Sequence, residues 1–459
     1  MNRLHEDIGE LAEIVGRNNV LTEIYDLLPY ARDRYPPLVF PSSLKIPLAV
    51  VRPATTDEVK EIVLWANKHK VPLVPRGSGT SFSGSATPTE KSVVVDLSRM
   101  NRIIYLDEDA LNVKVQAGIT VKELEETLNQ RGFTFPHDPG SFPSSTIGGG
   151  ISTNGLGWRV GKYGYLKDLV ISLQAVLPNG TIIETRNVPK SSTGLDIKSI
   201  FIGTEGTLGV ITEATLRIFP KPETITILFY AFADFETAFK ALLKIRRAGL
   251  SPTIQLVVDK AGIEELIEEK RCPETSEGGL VLVYEGLKEE VEALRKRTVK
   301  ILAKEGGIYM GEDVGRSFWE SRHKMFSLMN KKGTYDSIDT AVPINRSLEF
   351  YKFLREWVEK HKDKIKSMGI SSWVLPENVS IDVAFDESSP ESINAYLKAR
   401  DEVISKALEL GGTSSYCVGI GIRYPHFMRK EHGAAFDVMV AIKRALDPNN
   451  IMNPGKLGL

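Results

Sequence analysis

The chain is short of cysteine. Two thiols in 459 residues, Cys272 and Cys417, cannot build a disulfide framework, and neither belongs to a CxxC pair of the metal-binding kind. The same scarcity denies the chain an iron–sulfur cluster of its own, so electrons from any redox chemistry must leave by quinone, oxygen or another protein. An excess of either charge is also missing. Against 58 Lys and Arg stand 59 Asp and Glu, mixed along the chain, which leaves no electrostatic footprint for nucleic acid. No run approaches the roughly 20 apolar residues that span a bilayer, and Met1–Asp7 carries no apolar stretch. The expectation is a cytoplasmic protein, at most peripheral to a membrane, that handles small molecules. The commoner nucleotide loops are absent too. A Walker A loop would need Gly-Lys-Ser/Thr after Gly79 or Gly84, and a dinucleotide GxGxxG would need glycine where Phe82 stands.

What the chain does have is small residues in four concentrated places. The first is Val71-Pro-Leu-Val-Pro-Arg-Gly-Ser-Gly-Thr-Ser-Phe-Ser-Gly84. Its glycines can take positive φ, so successive backbone amides can converge as a concave nest around an anion. The second is Pro139-Gly-Ser-Phe-Pro-Ser-Ser-Thr-Ile-Gly-Gly-Gly-Ile-Ser-Thr-Asn-Gly155, and two such loops imply one long ligand. The third, Phe201 to Thr212, places glycines between short apolar runs where a backbone can press on a flat ring. The fourth is Asn450-Ile-Met-Asn-Pro-Gly-Lys456.

Together and in this order, the four segments resemble the FAD-linked oxidases of the vanillyl-alcohol oxidase class. Within it they are most similar to the D-lactate, glycolate and D-2-hydroxyglutarate dehydrogenase branch, from about Pro47 to the C-terminus. The resemblance implies an α+β fold: a PCMH-type, two-part FAD-binding domain with an inserted α/β substrate (cap) domain. Residues 1–46 then form an N-terminal helical extension with a helix over Ile8–Leu28, 47–222 the flavin domain, 223–433 the cap, and 434–459 a segment returning to the flavin domain. Local signals agree with that plan. Thr55 with Glu58 and Thr120 with Glu123 read as capping boxes. Asn179-Gly180 reads as a hairpin turn between Leu169–Leu177 and Thr181–Glu184, so the sheet is partly antiparallel. Two prolines at Pro220 and Pro222 interrupt the pattern before a fresh strand, Thr224–Ala231, and Asp234 reads as the cap of the next helix.

The resemblance also implies which residues hold FAD. Pro75, Arg76, Gly77, Ser78, Gly79, Thr80 and Ser81 would cradle the diphosphate, with Gly84 closing the turn. Pro139, Gly140, Ser141, Ser144, Thr146, Ile147, Gly148, Gly149, Thr153 and Asn154 fall on the second FAD loop. Glu205, Gly206, Gly209, Val210 and Ile211 lie along the adenosine and ring, and Asn453 and Lys456 approach from the C-terminal side. Covalently flavinylated relatives carry histidine where Thr80 stands, so non-covalent FAD is expected. His137, where most relatives have proline, reads either as a residue touching the flavin ring or, the favoured reading, as a turn histidine hydrogen-bonded to solvent.

Oxidising a 2-hydroxy acid needs a cation for the carboxylate, an acceptor for the hydroxyl proton, and hydride transfer to the flavin. Helical spacing puts Arg322 on one stripe with Phe318, Met325 and Met329, and it matches the family's substrate-carboxylate arginine. The alternative is a structural pair with a carboxylate such as Asp339. Other polar contacts of the family fall here on Phe326 and Ser337. The family's metal-binding histidine segment becomes Trp373-Val-Leu-Pro-Glu-Asn378, where only Asn378 survives, and its later glutamate and catalytic histidine become Cys417 and Val418. No metal is therefore expected at this site. Tyr416, with a lowered phenol pKa, or His426 or His323, are the candidate bases. Beside an FAD-dependent hydroxy-acid dehydrogenase or oxidase stand two alternatives: a non-redox flavin transferase like alkylglycerone-phosphate synthase, and a non-catalytic flavin subunit of a larger dehydrogenase complex with an iron–sulfur partner. A homodimer is a further expectation.

Overall fold

The computed structural model describes residues 2–35, 45–269, 271–323, 334–386 and 389–459. Met325, Phe326 and Met329 of the expected stripe lie outside the described residues.

Near the N-terminus the chain builds a four-stranded sheet in the order 20–21, 49–51, 93–96, 73–76, the last three strands parallel. Ala49–Val51 and Val93–Val95 are buried on both faces, which is why they read as unbroken apolar runs. Helix Thr56–His69 covers them. Thr55 accepts the Glu58 amide, and Glu58 accepts that of Ala54 at 2.7 Å. A five-stranded antiparallel sheet follows, ordered 103–107, 112–116, 210–217, 170–176, 182–184. Its 170–176/182–184 hairpin turns at Gly180, φ 81°, as the Asn-Gly dipeptide predicts. Helix Val121–Gln130 opens on a complete Thr120/Glu123 capping box. Both sheets share one hydrophobic core, which Ile451 and Met452 join. The chain end lies beside strand 73–76: the Leu73 amide donates to Ile451 and its carbonyl accepts from Asn453.

The single helix expected over Ile8–Leu28 is broken. Helix Asn2–Val15 stops at Gly16, φ 82°, and Val20–Leu21 then pairs with Val50–Val51 before a short helical turn at Ile24–Leu27. A glycine that adopts a left-handed conformation ends a helix at small cost, and an edge position on the sheet was available to the chain beyond it.

From Thr224 a seven-stranded sheet forms, antiparallel throughout, in the order 308–309, 224–232, 278–286, 254–259, 366–373, 380–385, 334–338. Alternation along its strands sorts its two faces. Leu228, Tyr230 and Phe232, with Leu280, Leu282 and Tyr284, pack on helices Phe235–Arg247 and Lys288–Lys304. The residues between them, Phe229, Ala231, Val281 and Val283, pack instead with Leu156, Trp158 and Val160 from just beyond the second glycine-rich segment. Trp158 is fully buried and meets Trp373 and Phe318 edge-on, with ring centroids 4.9 and 5.9 Å away. Such pairs add about 0.5–1.5 kcal/mol each beyond the area they bury. The capping sheet is thus pressed onto the segment that carries the second loop, and a cleft remains between them.

Candidate functional site

The cleft has a cavity volume of about 170 Å3. Its walls are the first loop, the second loop, the turn around Glu205–Gly206, and Trp373, Cys417 and Val418 from the capping side. The backbone amides of Gly77, Ser78, Gly79, Thr80 and Ser81 have no acceptor among the described residues. Five consecutive donors left open around a cleft form an anion nest. Space there is reserved for backbone: a Cβ on Gly77 would collide with Thr146 Oγ1, and one on Gly148 would lie 2.7 Å from Ala117 Cβ. Thr146 Oγ1 accepts the Gly149 amide, and Ser78 Oγ donates to the Ser144 carbonyl, tying the first loop to the second.

Beneath the first loop lie three buried polar atoms without partners among the described residues: Glu205 Oε2, Asn453 Oδ1 and Lys456 Nζ. Glu205, held at φ 52°, accepts the Ile420 amide at 2.8 Å, and burial pushes its carboxyl up to about 7. Asn453 donates to the Ser85 and Glu205 carbonyls at 2.8 and 2.6 Å. Burial brings the Lys456 ammonium down to about 8, partly opposed by the Glu205 and Asp33 charges. Unsatisfied buried polar atoms are costly. Here they cluster under an amide nest beside the cleft, where a large polar ligand can satisfy them.

Of the expected cofactor residues, Pro75 through Ser81, Pro139, Gly140, Ser141, Thr146, Gly148, Gly149, Thr153, Glu205, Gly206, Gly209 and Ile211 line the cleft. Arg76 does so without offering its charge outward. Its guanidinium is spent on the carbonyls of Pro29, Arg32 and Ala86 and so clamps the N-terminal segment under the loop. Seven expected residues stand behind the wall instead, Lys456 among them in the floor. Gly84, φ 76°, closes the turn, Asn154, φ 49°, ends helix Ile147–Thr153, and Ser144 serves through its carbonyl. Ile147 and Val210 belong to the core, and Asn453 to the floor. Proximity in sequence could not separate lining from support.

The capping end departs further from expectation. Tyr416 is no base: burial and hydrogen bonding with Tyr165 and Glu377 push its phenol up, not down. Its hydroxyl lies 3.0 Å from Tyr165 Oη and 3.3 Å from Glu377 Oε1. His426 is half exposed, pairs with Asp401 at 3.3 Å and does not line the cleft. His323 hydrogen-bonds Asp138 and stacks on Phe142 at 4.7 Å. Arg322 caps helix Glu312–Ser321, lies over Trp319, and pairs with Asp138 at 3.0 Å. Its partner is therefore not Asp339. Asp339 is fully buried and gathers the amides of Tyr416, Cys417 and Val418 with the Asn378 side chain, fixing the loop at the cleft mouth. The Cys417 thiol is pushed up by burial and by the Asp339 charge.

Sequence reasoning passed over His137, which is no solvent-bound turn residue. It is buried to 4% exposure, lines the cleft, and has no hydrogen bond among the described residues. Burial lowers its imidazole to about 4. Asp138 and Glu377 were missed as well, because nothing local announces a carboxylate whose partners come from distant elements. The one available signal was the change from proline to histidine at 137.

The chain matches the FAD binding domain family over residues 47–186 and the family of FAD linked oxidases, C-terminal domain, over 221–457. It is 32% identical over 426 residues to the glycolate oxidase subunit GlcD of Bacillus subtilis (strain 168), covering 91% of this chain and 90% of that protein. It is 30% identical over 447 residues to a D-lactate dehydrogenase of Archaeoglobus fulgidus, covering 95% and 98%. A solved structure of alkyldihydroxyacetonephosphate synthase superposes with a TM-score of 0.81 at 24% identity, over 98% of this chain and 85% of that one, and shares the fold. An open amide nest beside a cleft fits a diphosphate-bearing cofactor: the chain belongs to the FAD-linked oxidase family, and FAD is its cofactor.

Proposed function

We propose that this flavoprotein oxidises the CH–OH group of a 2-hydroxy acid, in the manner of a D-lactate or glycolate dehydrogenase. The observation that carries this reading is that similarity to GlcD and to a D-lactate dehydrogenase runs through both the cofactor loops and the capping sheet, over 91% and 95% of the chain. Bound FAD supplies the two-electron acceptor. The amides of Gly77–Ser81 would hold its diphosphate, with Glu205 in the wall of the cleft and Asn453 and Lys456 forming the buried floor behind it. Thr80 leaves the first loop without a histidine for covalent attachment, so the cofactor is held without a covalent bond. Trp373, Leu156 and Val418 exclude water at the capping end, where dehydrogenation proceeds in a low-dielectric setting. Arg322 anchors the substrate carboxylate. It pairs with Asp138, the residue next in sequence to the cleft-lining His137, and its Nη2 has no partner among the described residues.

The test is an anaerobic titration of the purified flavoprotein with D- and L-2-hydroxy acids, followed by loss of visible flavin absorbance. Bleaching by one stereochemical series supports the proposal and names the substrate class. No bleaching by any acid, with dithionite still reducing the flavin, overturns it. Tight binding of an acyl-dihydroxyacetone phosphate without bleaching would then favour a transferase, and copurification with an iron–sulfur protein a non-catalytic subunit.

A further inference from the structure

Trp373, Cys417 and Val418 stand where the resemblance implies a metal-binding histidine, a glutamate and a catalytic histidine, and none of the expected neighbouring side chains is placed as the proton acceptor. Tyr416 is shifted the wrong way, and His323 and His426 are engaged with aspartates. One histidine nevertheless lines the cleft. His137 is more than nine-tenths buried, beside the Leu156–Trp158 segment that packs on the capping sheet, and neither ring nitrogen has a hydrogen-bond partner among the described residues. Its place is shaped for it. A methyl group on Gly150 would lie 3.3 Å from Nε2, and one on Gly157 3.2 Å from Nδ1, so glycines flank both nitrogen edges of the ring. The residue before Gly157 connects this wall to the capping end: Leu156 lines the cleft and its backbone meets the Cys417 thiol. His137 and Val418 therefore face the same end of one cavity.

We propose that His137 is the proton acceptor for the substrate hydroxyl, the imidazole having moved from the capping loop to the second cofactor loop. The inference rests on the hydroxy-acid reading above. The balance is simple. The α C–H bond breaks with its electron pair passing as hydride to the bound FAD, which is reduced. The hydroxyl O–H bond breaks with its proton passing to the unprotonated ring nitrogen, and C–O becomes C=O, giving the 2-oxo acid. Burial keeps the imidazole neutral and so ready to accept. Asp138 beside it stays ionised: burial pushes its carboxyl up, but the His323 hydrogen bond and the Arg322 charge outweigh this and hold it below its usual range. That fixed negative charge stabilises the imidazolium as it forms. The other titratable groups facing this pair are Arg159, which interacts with Asp138, and Cys417 across the cleft.

The experiment compares wild type, His137→Asn and Glu377→Gln, all as FAD-loaded full chains, in anaerobic stopped flow with the hydroxy acid that bleaches wild type. The expected result is a bleaching rate about 100-fold lower or more in His137→Asn, the usual range for a lost general base. Oxalate, titrated by its perturbation of the flavin spectrum, should bind His137→Asn within about twofold of wild type, because the base acts on the hydroxyl and not on the carboxylate. Added imidazole should restore bleaching in His137→Gly in proportion to its concentration, a rescue that a purely structural histidine would not show. If His137→Asn fails to retain FAD, His137→Gln, which reaches the Nε2 position, is read in its place. A rate unchanged in the histidine variants, or lost in Glu377→Gln alone, overturns the proposal and leaves the hydroxy-acid reading standing. Wild type that no hydroxy acid bleaches overturns both.

Discussion

The two ends of the cleft are built on opposite principles. At the cofactor end the working groups are backbone: five open amides from Gly77 to Ser81, and glycines whose missing side chains make room for the second loop. At the capping end they are side chains, and most are already committed to one another. Asp339 is bound to the 416–418 loop, Arg322 and His323 to Asp138, and Tyr416 to Tyr165 and Glu377. Backbone recognition of a diphosphate is fixed by local sequence. Side-chain recognition of a substrate is fixed by which distant partners remain unpaired after folding; among the described residues at this end, His137, one nitrogen of Arg322, Glu377 Oε2 and Trp158 Nε1 remain so.

The sharpest way to break the contrast is to give the cofactor end a side chain. Gly77→Val should weaken FAD binding by about 100-fold or more, because the new Cβ collides with Thr146 Oγ1 and moves the nest amides off their ligand. The protein should purify colourless with unchanged far-UV circular dichroism. A yellow Gly77→Val protein would mean that the diphosphate lies elsewhere.

That contrast also decides what could be read before folding. The cofactor loops were legible because small residues and the positive-φ glycines at 79 and 84 are local statements. So was the hairpin at Asn179-Gly180, whose Gly180 has φ 81°. Failures came where tertiary context overrode local pattern. Gly16 broke a helix whose apolar spacing read as continuous, since Val20–Leu21 could join a sheet edge. Arg322 kept its expected helix but took Asp138 as its partner, not Asp339, across 184 residues of chain. His137 reads from sequence first as a solvent-bound turn residue because a histidine in a Pro-rich turn is ordinarily exposed, whereas in the fold it is packed against Gly150 and Gly157 and buried.

Next in size is the Arg322–Asp138 pair. Arg322→Ala leaves a carboxylate with 5% side-chain exposure short of its cation and should cost about 3 kcal/mol of stability in urea unfolding. Adding Asp138→Asn should recover most of that loss, since the charge left stranded is then gone. The same pair of variants separates structure from recognition. If Arg322 anchors the substrate carboxylate, KM for the acid stays raised in the double variant although stability returns. KM that returns with stability would make Arg322 purely structural.

A smaller effect follows from the neutral imidazole. His137 has its folded-state value depressed from 6.5 to about 4 by burial, so its contribution to stability is present above pH 6.5 and is lost as the pH falls towards 4. The full loss is up to about 3 kcal/mol, and only part of it is realised at pH 5. Denaturant midpoints measured between pH 7 and 4.5 should fall less steeply in His137→Asn than in wild type. Parallel curves would place the imidazole in contact with solvent.

The smallest expected effect is at Tyr416, where the phenol is raised and its hydroxyl already shared with Tyr165 and Glu377. Tyr416→Phe removes a hydrogen bond worth about 1 kcal/mol but no base, because a phenol pushed upward holds its proton throughout the working range. The rate of flavin bleaching by a hydroxy acid should change by less than about threefold, against the general-base range expected at His137. Tyr165 and Glu377 remain 3.3 Å apart in the variant's framework, so the wall keeps its shape and the comparison stays chemical. A collapse of the rate in Tyr416→Phe would return the proton to the capping end and make the two ends of the cleft equal partners in catalysis.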